Sequence, residues 1–598
     1  MYNKTIQERL GRLRELMARE GLSAYIIPTT DFHSSEYIGD YFKTRRYMCG
    51  FTGSAGTLVI LPDEAGLWTD GRYFIQAAVE LEGTGVTLYR SGEEGVPDMN
   101  TFLRSKLSSG AALGFDGRTM KFEQARGMLE KLAGLNLTVV YDKDLVGEIW
   151  EGRPALSRER AYLLDMAYAG ENASDKLGRV RGAMREKGAD AHIICRLDDI
   201  AWLFNIRGAD VAYNPVALAY AVIETDRSLL FTDKSKFTNE MISALEQAGA
   251  TIMPYDEIYH YVSRYGPEDT VLIEAQGINY ALYKSLRAGK VIFGTNPSTL
   301  FKAVKNRTEI ENLRRCHIQD GLAVTRFMRW LKARAGKESI TEKSAERKLD
   351  EFRLQGEGCV GLSFNTISAY GANAAQCHYS APDDGGSDVE PRGFLLVDSG
   401  GQYLLGTTDI TRTIAVGPLT SEEKSHFTLV ARCMLNLMNA KFLHGCNGYN
   451  LDVLARLPLW EAGLDYKHGT GHGVGYFLNV HEGPNSFRWQ NAPGTEGCAL
   501  EEGMVTTDEP GIYIEGSHGI RTENELLCLK GEKNEYGQFM YFENLTFAPI
   551  DLDAIDVNAL SGQDRAHLND YHRTVYETLS PFMEQDEREW LRTYTRSV

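Results

Sequence analysis

The sequence predicts an α/β (α+β) protein of several domains, in which two related α/β domains precede a mixed domain and a helical tail. Three features support this prediction: a helix–strand segment that occurs twice in the first half, alternating strands from Phe394 onward, and amphipathic helices near the C-terminus. The 598 residues also exceed what one hydrophobic core usually holds, so about two to four domains are expected.

The repeat lies in the first half of the chain. LGRLRELMAREGLSAYII begins at Leu10 and LGRVRGAMREKGADAHII begins at Leu177, and half of their aligned positions are identical. Each segment predicts an amphipathic helix, a turn at Gly21 or Gly188, and a short buried strand. Two copies are too few for a solenoid, so we expect two related domains in tandem.

Four regions follow from these patterns. Beyond the two repeats, FLLVDSGGQYLLGTTDITRTIAVG alternates like an antiparallel hairpin. Near the C-terminus, Tyr571, Val575 and Leu579 recur every four residues, which predicts a helix with one apolar stripe packed on the preceding domain. The predicted regions are 1–155 and 156–303 for the α/β domains, 304–540 for the mixed domain and 541–598 for the helical extension.

Composition excludes several classes of function. The formal charge of −18 leaves no basic excess for a nucleic-acid partner. None of the nine cysteines forms a CxxC pair, which is typical of scattered reduced thiols. The N-terminus has no apolar core of a signal peptide, and no apolar run approaches the ~20 residues that span a bilayer. We therefore expect no membrane association and a cytoplasmic location.

Five residues in the last third are candidate metal ligands. A carboxylate such as Asp398, directly after the apolar run LLV, needs a partner or a metal if it is buried. Four carboxylates and one imidazole would form an oxygen-rich site that suits manganese or its neighbours better than structural zinc. Two ions in such a site would favour hydrolysis. The candidates are Asp398, Asp409, His472, Glu509 and Glu523.

The glycine-rich stretch KHGTGHGVGYFLNVHEGP contains three histidines: His468, His472 and His481. Its glycines disfavour a helix and predict a backbone that folds closely around a site. Downstream, Arg521 stands two residues before Glu523, so on a strand both would face one side. Arg521 could orient the ligands, and the alternative is a simple surface ion pair.

These motifs resemble the pita-bread metallopeptidases, and most fully the long, three-domain cytosolic aminopeptidase P, or Xaa-Pro aminopeptidase, family. The resembling stretches are DSGGQY, GTTDITRT, HGTGHGVG, FLNVHEGP, DEPGIY and GIRTEN, with SEYI, GFTGSAGT and WTDGRYF in the N-terminal half. The resemblance implies two creatinase-N-like α/β domains followed by a pita-bread catalytic domain with a helical tail. It also implies metal-dependent release of the N-terminal residue from peptides with proline in second position.

The same resemblance implies a role for each site residue. Asp398 and Asp409 would bind one ion, His472 and Glu509 the other, and Asp409 and Glu523 would bridge the two. Glu509 would also take the proton of the attacking water. His378, His468 and His481 match the non-ligand active-site histidines, and His378 and His481 are expected to form part of the proline pocket. The implied cofactor is a pair of divalent ions, manganese first, with cobalt, zinc or iron as alternatives.

Two other functions stay open at this point. Prolidase-type Xaa-Pro dipeptidases share the ligands but typically have one N-terminal domain, so the duplicated domains favour aminopeptidase P. A non-catalytic pita-bread peptide-binding module is the alternative from another class, and its ligand positions would be degraded. The resemblance further implies a homodimer.

Overall fold

The computed structural model describes residues 2–490 and 497–598. The described chain divides into two compact units. The first comprises residues through 164 together with 171–212 and 216–298, and the second comprises 165–170, 213–215 and 299–598. The four-region boundaries given above stay predictions.

The first unit begins with a six-stranded mixed sheet in the order β4-β3-β2-β1-β5-β6. Its strands are β1 Ala24–Pro28, β2 Thr57–Ile60, β3 Ala65–Thr69, β4 Thr87–Arg90, β5 Ala112–Phe115 and β6 Thr138–Val140. Its helices are α1 Tyr2–Arg19, α2 Thr44–Cys49, α3 Phe74–Glu80, α4 Met99–Lys106, α5 Phe122–Lys131 and α6 Leu145–Ile149.

A second six-stranded sheet follows, in the order β12-β11-β10-β8-β13-β14. Its strands are β8 Ala191–Ile194, β10 Ala219–Glu224, β11 Ser228–Thr232, β12 Ala250–Met253, β13 Thr270–Ile273 and β14 Lys290–Phe293. Two further strands, β7 Tyr162–Leu163 and β9 Ile206–Arg207, pair in a separate two-stranded sheet. The helices are α8 Ala173–Lys187, α9 Leu197–Phe204, α10 Asn239–Gln247, α11 Glu257–Val262 and α12 Tyr280–Ser285, whereas the preceding helix, α7 Met166–Ala169, belongs to the second unit.

The two sheets share one topology, which confirms the predicted repeat. β1 pairs antiparallel with β2 and parallel with β5, just as β8 pairs antiparallel with β10 and parallel with β13. Each central strand follows its repeat helix, α1 or α8. Each helix is followed within two residues by a glycine in the left-handed region, Gly21 with φ +67° and Gly188 with φ +66°, where other residues are strained.

The second unit contains the remaining elements. Its helices include α14 Arg307–Arg334, α15 Glu342–Leu354, α16 Ser421–Met438, α17 Gly448–Glu461, α18 Gly562–Leu579 and α19 Gln585–Tyr594, after α13 Pro297–Ala303 at its start. Its strands are β15 Cys359–Leu362, β16 Ile367–Tyr370, β17 Phe394–Ser399, β18 Gly401–Tyr403, β19 Gly406–Thr407, β20 Ile410–Ala415, β21 Lys441–Leu443, β22 Gly471–His472, β23 Ser486–Phe487, β24 Val505–Asp508, β25 Gly511–Ile514, β26 His518–Arg521, β27 Asn524–Asn534 and β28 Gly537–Asn544.

The predicted hairpin is present with an insertion. β17 and β20 pair antiparallel, and Asp398 stands opposite Thr411. The chain between them forms β18 and β19, which join β15 in a separate three-stranded sheet. The glycines between the two long strands therefore build a second short ladder rather than one tight turn.

The C-terminal helices pack on the main core of this unit. Tyr571, Val575 and Leu579 of α18 are buried in the same cluster as Phe427 and Val430 of α16, as the four-residue spacing predicted. Burying an apolar side chain of this size contributes about 1.5–3 kcal/mol. Among the described helices, none combines the length and apolar character that crossing a bilayer requires.

Candidate metal centre and active site

Three of the five candidate ligands converge on one point. Asp409 directly precedes β20, His472 ends β22, and Glu523 lies between β26 and β27. One ligand atom from each lies within 4.8 Å of the others. Three strand ends that are distant in sequence thus bring two carboxylates and an imidazole together.

The other two candidates border this group. Nε2 of His472 lies 3.5 Å from Oδ2 of Asp409 and 3.9 Å from Oε1 of Glu509, which follows β24. Asp398 on β17 belongs to the same charged cluster, because its charge acts on Asp409, Glu509 and Glu523. Its Oδ1 is buried and has no hydrogen-bond partner among the described residues.

The His472 ring is oriented by its own backbone. Nδ1 lies 3.0 Å from the carbonyl oxygen of Gly473, which can only accept, so Nδ1 carries the proton. Nε2 is then an acceptor that faces the carboxylates. Histidines that bind metals typically donate their second nitrogen in this way.

Burial of so many carboxyl groups shifts their protonation. Burial raises the pKa of Asp409 and of Glu523 well above the ordinary range, and neighbouring carboxylates raise it further. Burial also raises the pKa of Glu509 to about 7, with added repulsion from Asp409 and Asp398. Negative charges gathered away from water need cations beside them.

Neighbouring side chains hold the carboxylate of Glu523 and the backbone of Asp409 in place. Thr411 Oγ1 donates to Oε2 of Glu523 over 2.7 Å, and the Glu523 amide donates to the Thr411 carbonyl over 3.2 Å. The amide of Asp409 donates to Oε1 of the buried Glu525 over 2.7 Å. Neither Thr411 nor Glu525 was predicted from the sequence, although the strand alternation puts Thr411 on the face of Asp409.

Arg521 is buried, with 3% of its surface exposed, so the alternative of a surface ion pair is wrong. Its Nη2 donates to Oδ2 of Asp398 over 2.6 Å and its Nη1 donates to the Tyr513 hydroxyl over 2.8 Å. Nε donates to Thr411 Oγ1 over 3.1 Å. The guanidinium therefore contacts a different carboxylate from the neighbouring Glu523 that the sequence spacing suggested.

His468 is half-buried, and both of its ring nitrogens contact the protein. Nδ1 donates to the Gly469 carbonyl over 2.8 Å, so Nε2 accepts from the Tyr513 hydroxyl at 2.9 Å. Burial, with the charge of Arg521, lowers the pKa of His468 to about 3. Tyr513 thus connects Arg521 to His468. Apart from its place in DEPGIY, no pattern in the sequence pointed to this tyrosine.

His378 and His481 are exposed. The His481 ring stands edge-on to the His472 ring, with 4.3 Å between the centroids. A cavity of about 290 Å³ borders both, and its other lining residues include Tyr449, Asn485 and Arg488. Of the two histidines expected at the proline pocket, His481 lines this cavity, and His378 is not among its described lining residues.

The glycine-rich stretch is packed as closely as predicted. A Cβ at Gly471 would collide with the Thr507 carbonyl, and one at Gly473 with the Glu482 carbonyl. The fully buried Arg456 of α17 also binds this stretch, because its Nη2 donates to the His468 carbonyl over 2.7 Å. Close backbone contact and one buried arginine together determine where His468 and His472 lie.

These residues fit a pair of divalent cations. The donor set is hard and oxygen-rich, with one imidazole nitrogen, which suits ions such as Mn²⁺. The buried Oδ1 atom of Asp398, which has no hydrogen-bond partner in the described part of the chain, is the kind of oxygen that a cation would satisfy.

Family models cover nearly the whole chain. The Creatinase/Prolidase N-terminal domain matches residues 9–143 and again 152–309. Metallopeptidase family M24 matches residues 311–530, and the C-terminal region of peptidase M24 matches residues 538–598.

Relatives of the full length are also found. Aminopeptidase P1 of Arabidopsis thaliana is 36% identical, and the match covers 99% of both chains. Xaa-Pro aminopeptidase 1 of Dictyostelium discoideum is 36% identical over 100% of this chain and 97% of its own. The chain belongs to the Xaa-Pro aminopeptidase family of M24 metallopeptidases.

A solved structure of this family has the same fold throughout. The X-prolyl aminopeptidase from Caenorhabditis elegans, described as a cytosolic enzyme with a di-nuclear active site, superposes with a TM-score of 0.93 and is 33% identical over 99% of this chain. A Bacillus anthracis Xaa-Pro dipeptidase covers only 64% of this chain, at 24% identity and a TM-score of 0.50, and shows the fold alone.

The predicted fold class is therefore confirmed: two creatinase-type α/β domains, a pita-bread domain and a helical C-terminal region. The resemblance to the aminopeptidase P family is confirmed as well. The roles of the individual site residues stay predictions.

Proposed function

We propose that this chain is a dinuclear metal-dependent Xaa-Pro aminopeptidase that releases the N-terminal residue from peptides with proline in second position. The observation that most directly supports the proposal is the convergence of Asp409, His472 and Glu523 within 4.8 Å, beside Glu509, in a full-length member of this family. An intact ligand set disfavours the non-catalytic binding module.

The ions would be held by Asp398, Asp409, His472, Glu509 and Glu523, with Mn²⁺ as the proposed metal. When bound, two divalent ions polarise a carbonyl and make water more acidic. Arg521 orients Asp398, and the Gly473 carbonyl orients His472. The protein thereby fixes which lone pairs face the centre before substrate arrives.

Glu509 is the proposed general base. Its amide donates to the Thr470 carbonyl over 2.7 Å, which anchors its backbone beside the glycine-rich stretch. Its carboxylate accepts a proton from water and delivers one to the leaving prolyl nitrogen. That nitrogen carries the ring and has no hydrogen of its own in the peptide, so it requires a delivered proton.

The three histidines have different access to substrate. His378 and His481 are exposed and are proposed to hydrogen-bond the substrate carbonyl or the tetrahedral intermediate. His468 has both nitrogens bound to Gly469 and Tyr513, so its proposed contact with substrate requires exchange of one of these bonds. The cavity beside His481 offers space for part of the peptide.

The first experiment compares three substrates on metal-stripped protein with and without Mn²⁺. They are a pentapeptide with proline second, an Xaa-Pro dipeptide and a Met-Ala peptide. Manganese-dependent release of only the first residue of the pentapeptide supports the proposal. Cleavage of the dipeptide alone would make the chain a prolidase, and no cleavage despite bound metal would make it a binding module.

We also propose a cytoplasmic homodimer that has neither a nucleic-acid nor a membrane partner. The family resemblance is the reason for a second copy, and an exposed apolar stripe on α17 is where we expect it to bind. Val453, Leu457 and Trp460 are 38–47% exposed along this helix, and Trp489 packs edge-on against Trp460.

Leu457→Glu should shift the mass measured by light scattering from that of a dimer to that of a monomer. Leu354→Glu, at the similarly exposed end of α15, should leave the mass unchanged. A monomeric parent protein would contradict the dimer.

A further inference from the structure

We propose that the C-terminal helix α18 positions the carboxylate of Glu523 through Arg412, which makes Tyr571 a positioning residue for the metal centre. This inference rests on the proposed role of Glu523 as a ligand. It assigns a function to the C-terminal region, which contributes none of the proposed ligands.

Arg412 on β20 is buried, with 1% of its surface exposed. The five N–H groups of its guanidinium lie within hydrogen-bond distance of six oxygen atoms, and Nη2 is shared among three of them; the six belong to Thr411, Glu523, Asn524, Ala548, Pro549 and Tyr571. All six are carbonyl, amide or hydroxyl oxygens, so no carboxylate of the described residues pairs with this buried charge directly. The position of a buried guanidinium without a carboxylate partner therefore depends on the positions of its hydrogen-bond acceptors.

Arg412 and its neighbour Thr411 fix Glu523 from several sides. Arg412 Nη1 donates to the Glu523 carbonyl over 2.6 Å and also to the Thr411 carbonyl over 2.8 Å. The Thr411 carbonyl accepts from the Glu523 amide, and Thr411 Oγ1 donates to the Glu523 carboxylate. The backbone and the side chain of this proposed ligand are therefore both held by β20.

The acceptors on the far side of Arg412 come from the C-terminal region. The Tyr571 hydroxyl accepts from Nη2 over 2.7 Å and donates to the Ala548 carbonyl over 2.6 Å. The next residue, His572, accepts from the Ile550 amide over 3.1 Å. Two adjacent side chains of α18 thus hold the segment from Ala548 to Ile550. The carbonyls of Ala548 and Pro549 complete the shell around Arg412.

The consequence is a mechanical path from α18 to the ligand. Without the Tyr571 hydroxyl, Arg412 and the Ala548 carbonyl each lose a partner, and the guanidinium can tilt away from Glu523 and Thr411. Because a ligand must be placed precisely for tight metal binding, outer partners of this kind affect affinity about 10–100-fold.

The test compares Tyr571→Phe with Tyr576→Phe on the same helix. Among the described residues, the Tyr576 hydroxyl accepts only from Arg592, at a partly exposed position, so its variant controls for loss of a tyrosine hydroxyl from α18. Calorimetric titration of metal-stripped protein with Mn²⁺ should give about tenfold weaker binding for Tyr571→Phe and a change below about twofold for the control. Unchanged Mn²⁺ affinity in Tyr571→Phe would overturn the proposal, even if the variant melts earlier.

A second variant addresses poor folding of Tyr571→Phe. Placing 3-fluorotyrosine at position 571 retains a hydroxyl that both donates and accepts, and should restore Mn²⁺ affinity to the parent value. If affinity stays weak although the helix is restored, the hydroxyl network is not the cause. Since binding is measured without turnover, a parent protein that binds Mn²⁺ but cleaves no peptide would refute the proposed function and leave this inference standing.

Discussion

Arg521 and Asp398 form a buried ion pair, in which Nη2 lies 2.6 Å from Oδ2 and the side chains are 4% and 13% exposed. The two residues are 123 positions apart in sequence. The remaining oxygen of Asp398 has no hydrogen-bond partner among the described residues. One oxygen is thus held by the protein, and the other is left for a cation.

Replacing Arg521 with lysine should disrupt this arrangement. An ammonium is a single point of charge, and it cannot serve Asp398, Tyr513 and Thr411 together as the planar guanidinium does. We expect kcat/KM and metal affinity to fall about 10–100-fold. Steady-state kinetics and metal titration measure the two effects.

Arg573→Lys is the matched control, because Arg573 is 64% exposed and pairs only with Asp570 among the described residues. It should behave like the parent protein. Equal kinetics for Arg521→Lys and the control would mean that the buried pair has no role in orienting Asp398.

The Glu509→Gln variant should retain the fold and lose most activity. The amide cannot accept a proton from water, and general-base catalysis contributes about 10²–10⁴ in rate. We expect kcat to fall by that factor while circular dichroism is unchanged. Glu515→Gln, in the exposed turn after β25, should retain parent activity. Because Glu509 is also a proposed ligand, metal content must be measured in parallel, and near-parent turnover would rule out its role as the base.

Metal removal should lower stability as well as activity. Without cations the buried carboxylates repel one another and protonate, as the raised pKa values of Asp409 and Glu523 indicate. Adding Mn²⁺ at about 100 times its dissociation constant should stabilise the protein by about 2.7 kcal/mol per site. Thermal melts of stripped and reloaded protein measure this, with elemental analysis expected to find two ions per chain. A melting temperature that is unchanged by addition of Mn²⁺ would contradict the proposed metal site.

The stability of α18 should depend on pH through His572. Burial lowers its pKa to about 3, with help from Arg412 and Arg596, whereas an unfolded histidine titrates near pH ~6.5. Since the folded-state pKa is depressed, the contribution is complete above about pH 6.5 and is lost as pH falls toward 3. Lowering the pH from about 8 to about 6 should therefore reduce the free energy of opening of α18 by about 1 kcal/mol in the parent protein. The His572→Gln variant should not show this reduction.

Hydrogen exchange of the α18 amides measures this difference without assuming one unfolding transition for the whole chain. Glutamine can still accept from the Ile550 amide and does not titrate. The same pH dependence in both proteins would mean that His572 is already protonated in the folded state or is accessible to water.

The order of helices and strands along this chain could be predicted from local sequence patterns. Helix and strand periodicity marked both repeats, and the two sheets have the same topology. The four-residue spacing of Tyr571, Val575 and Leu579 predicted a stripe that is buried. These features are local, because the period of a helix or strand determines which side chains share a face.

The candidate ligands were also visible, since carboxylates beside apolar runs and histidines among glycines are unusual in sequence. Their partners were not. Arg521 binds Asp398 rather than the nearby Glu523. Both ring nitrogens of His468 contact the protein, and the Tyr513 hydroxyl contacts both His468 and Arg521. No local pattern encodes these choices, because the partners come from separate strands.

The sequence by itself thus determined the family, the duplicated α/β domains and the residue types of the centre. Only the tertiary structure decided which atoms face the centre and which are already bound. Hydrogen-bond partners depend on distances of a few tenths of an ångström between elements more than a hundred residues apart. Arg412 is the clearest case, because its acceptors come from four separate segments that meet only in the folded protein.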